Sequence, residues 1–190
     1  MRILLRTFFA LTIPLLVMSC SAFASQVDTD LQETAIYSLL LSQDPAGYIL
    51  GTPIVILDET EYYEIENTRL LKKDMPSLDN ETFRNYRMAN KKHQTINLSL
   101  SLSKPYDFIK ESELDNLIDE YDNWDKFNQK YPGAHVYTFF SKVGFNTKGN
   151  QALVYMAHSC GGECGQGNLY FLVFVDNRWK IEGVYRVWIS

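Results

Sequence analysis

The chain has 190 residues, 46% of them hydrophobic and 14% aromatic, a composition that belongs to globular domains and excludes a disordered tail or linker. Its 23 acidic residues outweigh 18 basic ones, for a formal charge of -5 at pH 7. Without a local basic patch, such a surface repels nucleic acid and anionic lipid headgroups, so neither is expected as a partner.

The first residues, MRILLRTFFALTIPLLVMSCSAFAS, place Arg2 and Arg6 ahead of an apolar stretch from Thr7 to Met18 that ends in small residues. This is the build of a secretory signal peptide, and the apolar run is shorter than the roughly 20 residues a spanning helix needs. Two processing readings compete. Ala22-Phe23-Ala24 offers small side chains where a signal peptidase reads them, which makes residues 1-24 a leader and residues 25-190 one domain. Val17-Met18-Ser19-Cys20 instead resembles a bacterial lipoprotein box, in which Cys20 would be lipidated and the protein tethered to the envelope. Cleavage after Ala24 is the favoured reading. It leaves 166 residues, a length that suits one compact domain, with 16 basic against 23 acidic side chains and a net charge of -7.

Beyond the leader, Thr29-Asp30-Leu31-Gln32 has the spacing of a capping box, and Leu31, Ala35, Leu39 with Ile36 and Leu40 recur at helical intervals until Asp44-Pro45. An amphipathic helix starting near Thr29 is expected. Pro53-Ile54-Val55-Ile56-Leu57 reads as a buried strand. Residues 66-78 are polar and read as irregular, and a helix is expected from about Asp79 to Lys92 with Phe83 and Tyr86 turned inward. Lys72-Lys73 and Lys91-Lys92-His93 are the basic runs, and each reads as a solvated helix end. Asn97-Leu98-Ser99-Leu100-Ser101-Leu102-Ser103 alternates without error, the pattern of a strand with one wet face. Ser112, with Asp115 three residues on, predicts a capped helix through Leu114, Leu117, Ile118 and Tyr121; Trp124, Phe127 and Tyr131 continue its core stripe until Pro132-Gly133.

The last third reads as four strands, 135-146, 151-159, 168-175 and 179-189, joined by short turn-forming links at 147-150 and 176-178, hence an antiparallel meander. The fold class expected from the whole is α+β, a mostly antiparallel sheet with this C-terminal four-strand meander and three to four helices packed on one face.

The C-terminal block carries Val143-Gly144-Phe145-Asn146, Ala152-Leu153-Val154-Tyr155, Cys160-Gly161-Gly162-Glu163-Cys164-Gly165-Gln166-Gly167, Trp179 and Trp188-Ile189-Ser190. In this it resembles a family of exported bacterial proteins of unassigned function, densely from Trp124 onward and loosely before it. The resemblance implies a periplasmic or secreted location, or one on the envelope, and brings no activity with it.

Cys160 and Cys164 are the cysteines that remain beyond Cys20, at the tip of the central hairpin. In an exported domain such a pair is expected to oxidise to a structural disulfide, and Gly161, Gly162, Gly165 and Gly167 fit a tight cross-linked tip. Closing a loop of this size stabilises by roughly 2 kcal/mol in the loop-entropy model. The sharper alternative is a metal site: His158 and Cys160 are two apart on a strand, Cys164 returns across the tip, and Glu163 or His135 could complete a zinc or copper set. A thiol-redox pair is the third reading, weakened because three residues separate the cysteines on a hairpin instead of two at a helix N-terminus.

No nucleophile elbow, phosphate loop or His-Glu-x-x-His pair occurs. Asp58, Glu59, Glu61 and Glu64 read as a solvated strand end, not an acid-base or calcium site, and the sequons at Asn80 and Asn97 are discounted because the leader looks bacterial. The expectation is a non-enzymatic exported domain, without cofactor, that binds another protein or an envelope component and touches membrane only if anchored through Cys20.

Overall fold

The computed structural model describes residues 16-44, 47, 53-65, 68-118, 123-161 and 164-190, with side chains from Thr29 onward. The described residues form five helices, α1 (Leu16–Gln43), α2 (Thr68–Asp74), α3 (Asn80–Ala89), α4 (Glu111–Leu117) and α5 (Asp125–Lys130). Seven strands accompany them: β1 (Ile54–Leu57), β2 (Tyr106–Ile109), β3 (Tyr137–Phe140), β4 (Gly144–Phe145), β5 (Gln151–Ser159), β6 (Gly165–Val175) and β7 (Arg178–Ile189). The strands make one mixed sheet in the order β2-β1-β3-β5-β6-β7, with β4 also paired to β5. The fold is α+β, and its C-terminal strands are the antiparallel meander that the sequence predicts.

Among the described strands, β1 alone has parallel neighbours on both sides, β2 and β3. Strands of this kind are covered on both faces and read as unbroken apolar runs. Its four residues divide accordingly: Ile54 and Ile56 enter a core with the C-terminal half of α1, Val55 and Leu57 a second core with α4 and α5. A third core, on the same face as the second, packs Leu71 of α2 and Tyr86 of α3 against Leu153, Tyr155, Leu169 and Phe171. Helices α2 to α5 thus share one face, while α1 covers the other through Ile36, Tyr37, Leu40 and Leu41.

Several elements depart from their sequence signals for identifiable reasons. Thr29 lies inside α1, not at its start, and both expected processing positions, Cys20 and Ala24, fall within the same helix. The buried stripe of α1 is also rotated: Leu31 is 62% exposed and Ala35 lies in solvent, whereas Glu33 is buried. Glu33 accepts the Val143 amide at 3.0 Å and pairs with Lys142, so a carboxylate takes a place that hydrophobic periodicity gives to an apolar side chain.

The same contacts break the strand expected over 135-146. Asn90 Oδ1 accepts the Lys142 amide at 2.8 Å while Glu33 takes the next one, and Tyr155 N–H turns to Ser141 Oγ at 2.8 Å. Pairing resumes at Gly144↔Leu153 after Phe140↔Met156, so residues 141-143 stand opposite 154-155 as a bulge. Gly144 at its end is obligatory: an added Cβ would lie 2.3 Å from the Tyr86 backbone, which is how closely α3 approaches the sheet.

The 97-103 segment is not a strand. Its burial does alternate, Leu98, Leu100 and Leu102 packing on the α1-side core, but two of its amides go to side chains: Leu100 N–H to Tyr106 Oη and Ser101 N–H to Ser38 Oγ. The edge strand is instead β2, immediately after Pro105. The irregular stretch expected at 66-78 holds α2, whose Leu71, with Met75 and Leu78 after it, is buried at helical spacing. One such leucine is worth roughly 1.5–3 kcal/mol of burial. The helix expected from Ser112 to Tyr131 is two short ones. Helix α4 begins after Lys110 with no side-chain cap, and Asn123 Oδ1 accepts the Asp125 amide at 2.9 Å to start α5 afresh. Tyr121 lies outside the described residues.

Other local features agree with the sequence. Asp79 is the N-cap of α3, its Oδ1 accepting the Thr82 amide at 2.6 Å. Lys72 and Lys73 close α2, and Lys91-Lys92-His93 follow the end of α3. Asp176 and Asn177 have φ of 53° and 63°, the two left-handed positions of a tight hairpin turn between Val175 and Arg178.

Candidate functional site

The β5-β6 hairpin is the longest uninterrupted ladder at the centre of the sheet, paired from Gln151↔Val173 to Ser159↔Gly165. At its tip Cys160 and Cys164 are joined by a disulfide, with Cα atoms 5.2 Å apart. The bond closes the loop just beyond the last ladder pair, where Cys160 N–H also donates to the Cys164 carbonyl at 2.9 Å and Cys164 N–H to that of Gly161 at 3.0 Å. The tip is therefore tied both covalently and through its backbone.

Gly161 has φ of +88°, and an added Cβ would come within 2.5 Å of Trp124 Nε1. Only glycine meets both conditions. Trp124, which precedes α5, lies against the tip loop, stacks on Tyr137 at 5.8 Å between centroids and meets Phe127 edge-on at 4.9 Å. From Tyr137 the rings continue along the sheet through Phe139 to Tyr155, and Tyr63 stacks on Tyr155 at 5.8 Å. The tip thus stands at the end of an aromatic row on the face shared by α2 to α5.

Gly165 and Gly167 are not tip residues. Both belong to β6 with ordinary backbone angles, and they make a flat track for the indole of Trp188. A Cβ on Gly165 would lie 3.0 Å from that ring, and one on Gly167 only 2.3 Å from its Nε1. The indole N–H donates to Tyr155 Oη at 2.7 Å, which pins the C-terminal strand to the hairpin. Burial pushes the Tyr155 phenol up to about 12, although the Trp188 donor works in the opposite direction.

His158 is buried on the other face, cross-strand from Thr138 and Gln166. Burial drives its imidazole down to about 4, partly offset by the Asp44 carboxylate, so at neutral pH it is uncharged. Around it lies a polar patch within the sheet: Gln166 Nε2 donates to Asn168 Oδ1 at 3.0 Å and Asn168 Nδ2 to Tyr170 Oη at 3.2 Å. The Tyr170 phenol is pushed up to about 12 by its burial.

Of the sequence-predicted site residues, the structure therefore joins Cys160 and Cys164 and sets His158 in the sheet interior. With both sulfurs in one bond, neither is a thiolate available to a metal or to an attacking nucleophile. Glu163 lies outside the described residues, and among the described residues no three His, Cys, Asp or Glu side chains converge as a metal set. The acidic stretch disperses: Glu64 pairs with Arg87, Glu59 bridges to Thr95, and Glu61 faces His93. Burial raises the Glu61 carboxyl, helped by Glu111 and Glu59 and opposed by His93. The Trp188–Tyr155 bond and its glycine track escape sequence reasoning, since residues 33 apart meet only through strand pairing; the signal present was two glycines at alternate positions of a strand. No protein-family model, curated protein or solved structure matches the chain.

Proposed function

We propose that this chain is an exported bacterial protein whose folded part binds another protein or an envelope component through the disulfide-closed hairpin tip, without catalysing a reaction. The observation that carries this reading is the tip itself: a loop of five residues, Cys160 to Cys164, is closed by a disulfide and braced by Trp124 against Gly161. A disulfide limits the conformations open to the chain between its two cysteines, and pre-organisation of this kind favours affinity. The disulfide accords with an oxidising compartment, as do the leader-like first 24 residues and the resemblance to exported bacterial proteins. Anchoring through Cys20 is the variant of the same reading in which the leader ends earlier.

The test is cross-linking in the native envelope from a photoreactive residue placed at Gln166, beside the tip, compared between the unaltered chain and the Cys160→Ser/Cys164→Ser variant. A discrete cross-linked product that weakens in the variant supports the reading. Loss of a catalytic activity in the variant with stability unchanged overturns it. The mass of the mature N-terminus separates a cut after Ala24 from a diacylglycerol adduct on Cys20.

A further inference from the structure

A groove of about 420 Å³ lies between α3 and the segment that carries Tyr62 and Glu64, far along the chain from the cysteines. Its size falls in the range of small-molecule sites, about 300–1,000 Å³. Its floor is aromatic: Tyr62 and Phe83 are half-buried and pack on the core cluster under α3. Its lip carries Met88, 57% exposed, a large flexible apolar side chain left in solvent.

The rim is cationic. Arg84, Arg87 and Lys91 all line the groove; they stand three and four residues apart on α3 and just past its end, and so on one side of the helix, over about 10 Å of its axis. On a chain of net charge -5 this is a local reversal of sign. Among the described lining residues one carboxylate, Glu64, opposes them, 3.4 Å from Arg87, with both side chains more than half exposed. Such a pair contributes little and leaves the guanidinium free to turn toward another anion. Lys91 makes no ion pair with a described residue. Asn90 supplies wall, not recognition, because its amide is committed to the Tyr86 and Lys142 carbonyls and to the Lys142 amide.

We propose that this groove binds a single-chain amphiphile with an anionic headgroup, its carboxylate or equivalent held by Arg84, Arg87 and Lys91 and its aliphatic chain laid over Tyr62, Phe83 and Met88. Apolar floor and cationic rim together select this class. A purely polar anion would leave the aromatic floor uncovered, and a neutral lipid would leave the cationic rim without a counter-ion. The site is independent of the hairpin tip, and neither reading depends on the other.

The experiment is a titration of the folded chain with decanoate below its micellar concentration, followed by amide chemical shifts, with decanol and anionic phospholipid vesicles as separate arms. Saturable shifts confined to α3 and residues 62-64, absent or much weaker with decanol, are expected. Arg84→Gln with Lys91→Gln should weaken decanoate by about tenfold or more, as loss of charge-assisted contacts does, and Met88→Ser should weaken it severalfold. Both variants alter exposed side chains and should keep the parent amide spectrum elsewhere. Equal binding of decanol, shifts mapping to another surface, or full affinity in the double variant would each overturn the proposal. Binding to vesicles without binding to decanoate would also overturn it, and would point to a membrane surface as the ligand.

Discussion

Gly167→Ala tests the packing beneath the hairpin most directly. The new methyl would sit 2.3 Å from Trp188 Nε1 and 2.5 Å from Tyr155 Oη, each about 1 Å or more inside the usual contact distance of about 3.5–4.0 Å. Strand β6 is held by ladders on both sides and cannot retreat; the indole has to move, and its 2.7 Å bond to Tyr155 goes with it. Overpacking costs about 1–3 kcal/mol and the lost hydrogen bond about 0.5–1.5 kcal/mol, while replacing a strand glycine returns roughly 0.5–1 kcal/mol. The net expectation is a loss of about 2 kcal/mol. Urea unfolding followed by tryptophan fluorescence reads it as a lower midpoint at unchanged slope. A double-mutant cycle supplies the control. With Trp188→Val already in place the obstacle is gone, and Gly167→Ala should cost less than about half as much. A cost below about 0.5 kcal/mol in the parent chain, or an undiminished cost in the Trp188→Val background, would refute the account.

Glu33→Leu removes the carboxylate that holds Lys142 and the Val143 amide. A loss of about 3–5 kcal/mol in denaturant is expected, the range for breaking one side of a buried pair. Asp79→Ala should cost about 1–2 kcal/mol, because the N-cap of α3 and a bond to Asn146 go together. Burial works to raise the Asp79 carboxyl, but the hydrogen bonds it accepts from Thr82 and Asn146 outweigh this and hold it below its usual range. Its contribution is therefore present above the unfolded-state carboxylate range and fades as pH falls through the lower folded value; the parent chain should lose stability there faster than Asp79→Asn. His158 is a base with its folded value pushed down to about 4. Its neutral state favours folding above the unfolded value of about 6.5, and that advantage erodes as pH falls from there toward 4. Between pH 7 and pH 5 it amounts to roughly 2 kcal/mol, so His158→Gln should flatten the stability profile in that window as measured by urea midpoints.

The features read correctly from the sequence are those that a few neighbouring residues decide. A helix begins beside Asp79 as the composition of that stretch suggests, and Asp176-Asn177 turn the chain because both accept left-handed angles. The disulfide follows from two cysteines separated by a glycine-rich loop between strands, and the apolar run of β1 announces a strand covered on both sides.

What the tertiary structure decided concerns groups that meet across the chain. Alternation at 97-103 specifies which leucines are buried, but a ladder needs a neighbour, and here Ser38 and Tyr106 take the amides of Ser101 and Leu100. Glu33 and Asn90 capture backbone donors 110 and 52 residues away and thereby split β3 from β4; no periodicity encodes such a bond. Likewise Gly165 and Gly167, read as turn residues from their company, are vacancies cut for Trp188. Local sequence specifies what each segment prefers, because backbone angles and side-chain period act within a few residues. Which amide, ring or charge stands opposite is settled by the packing of the whole chain.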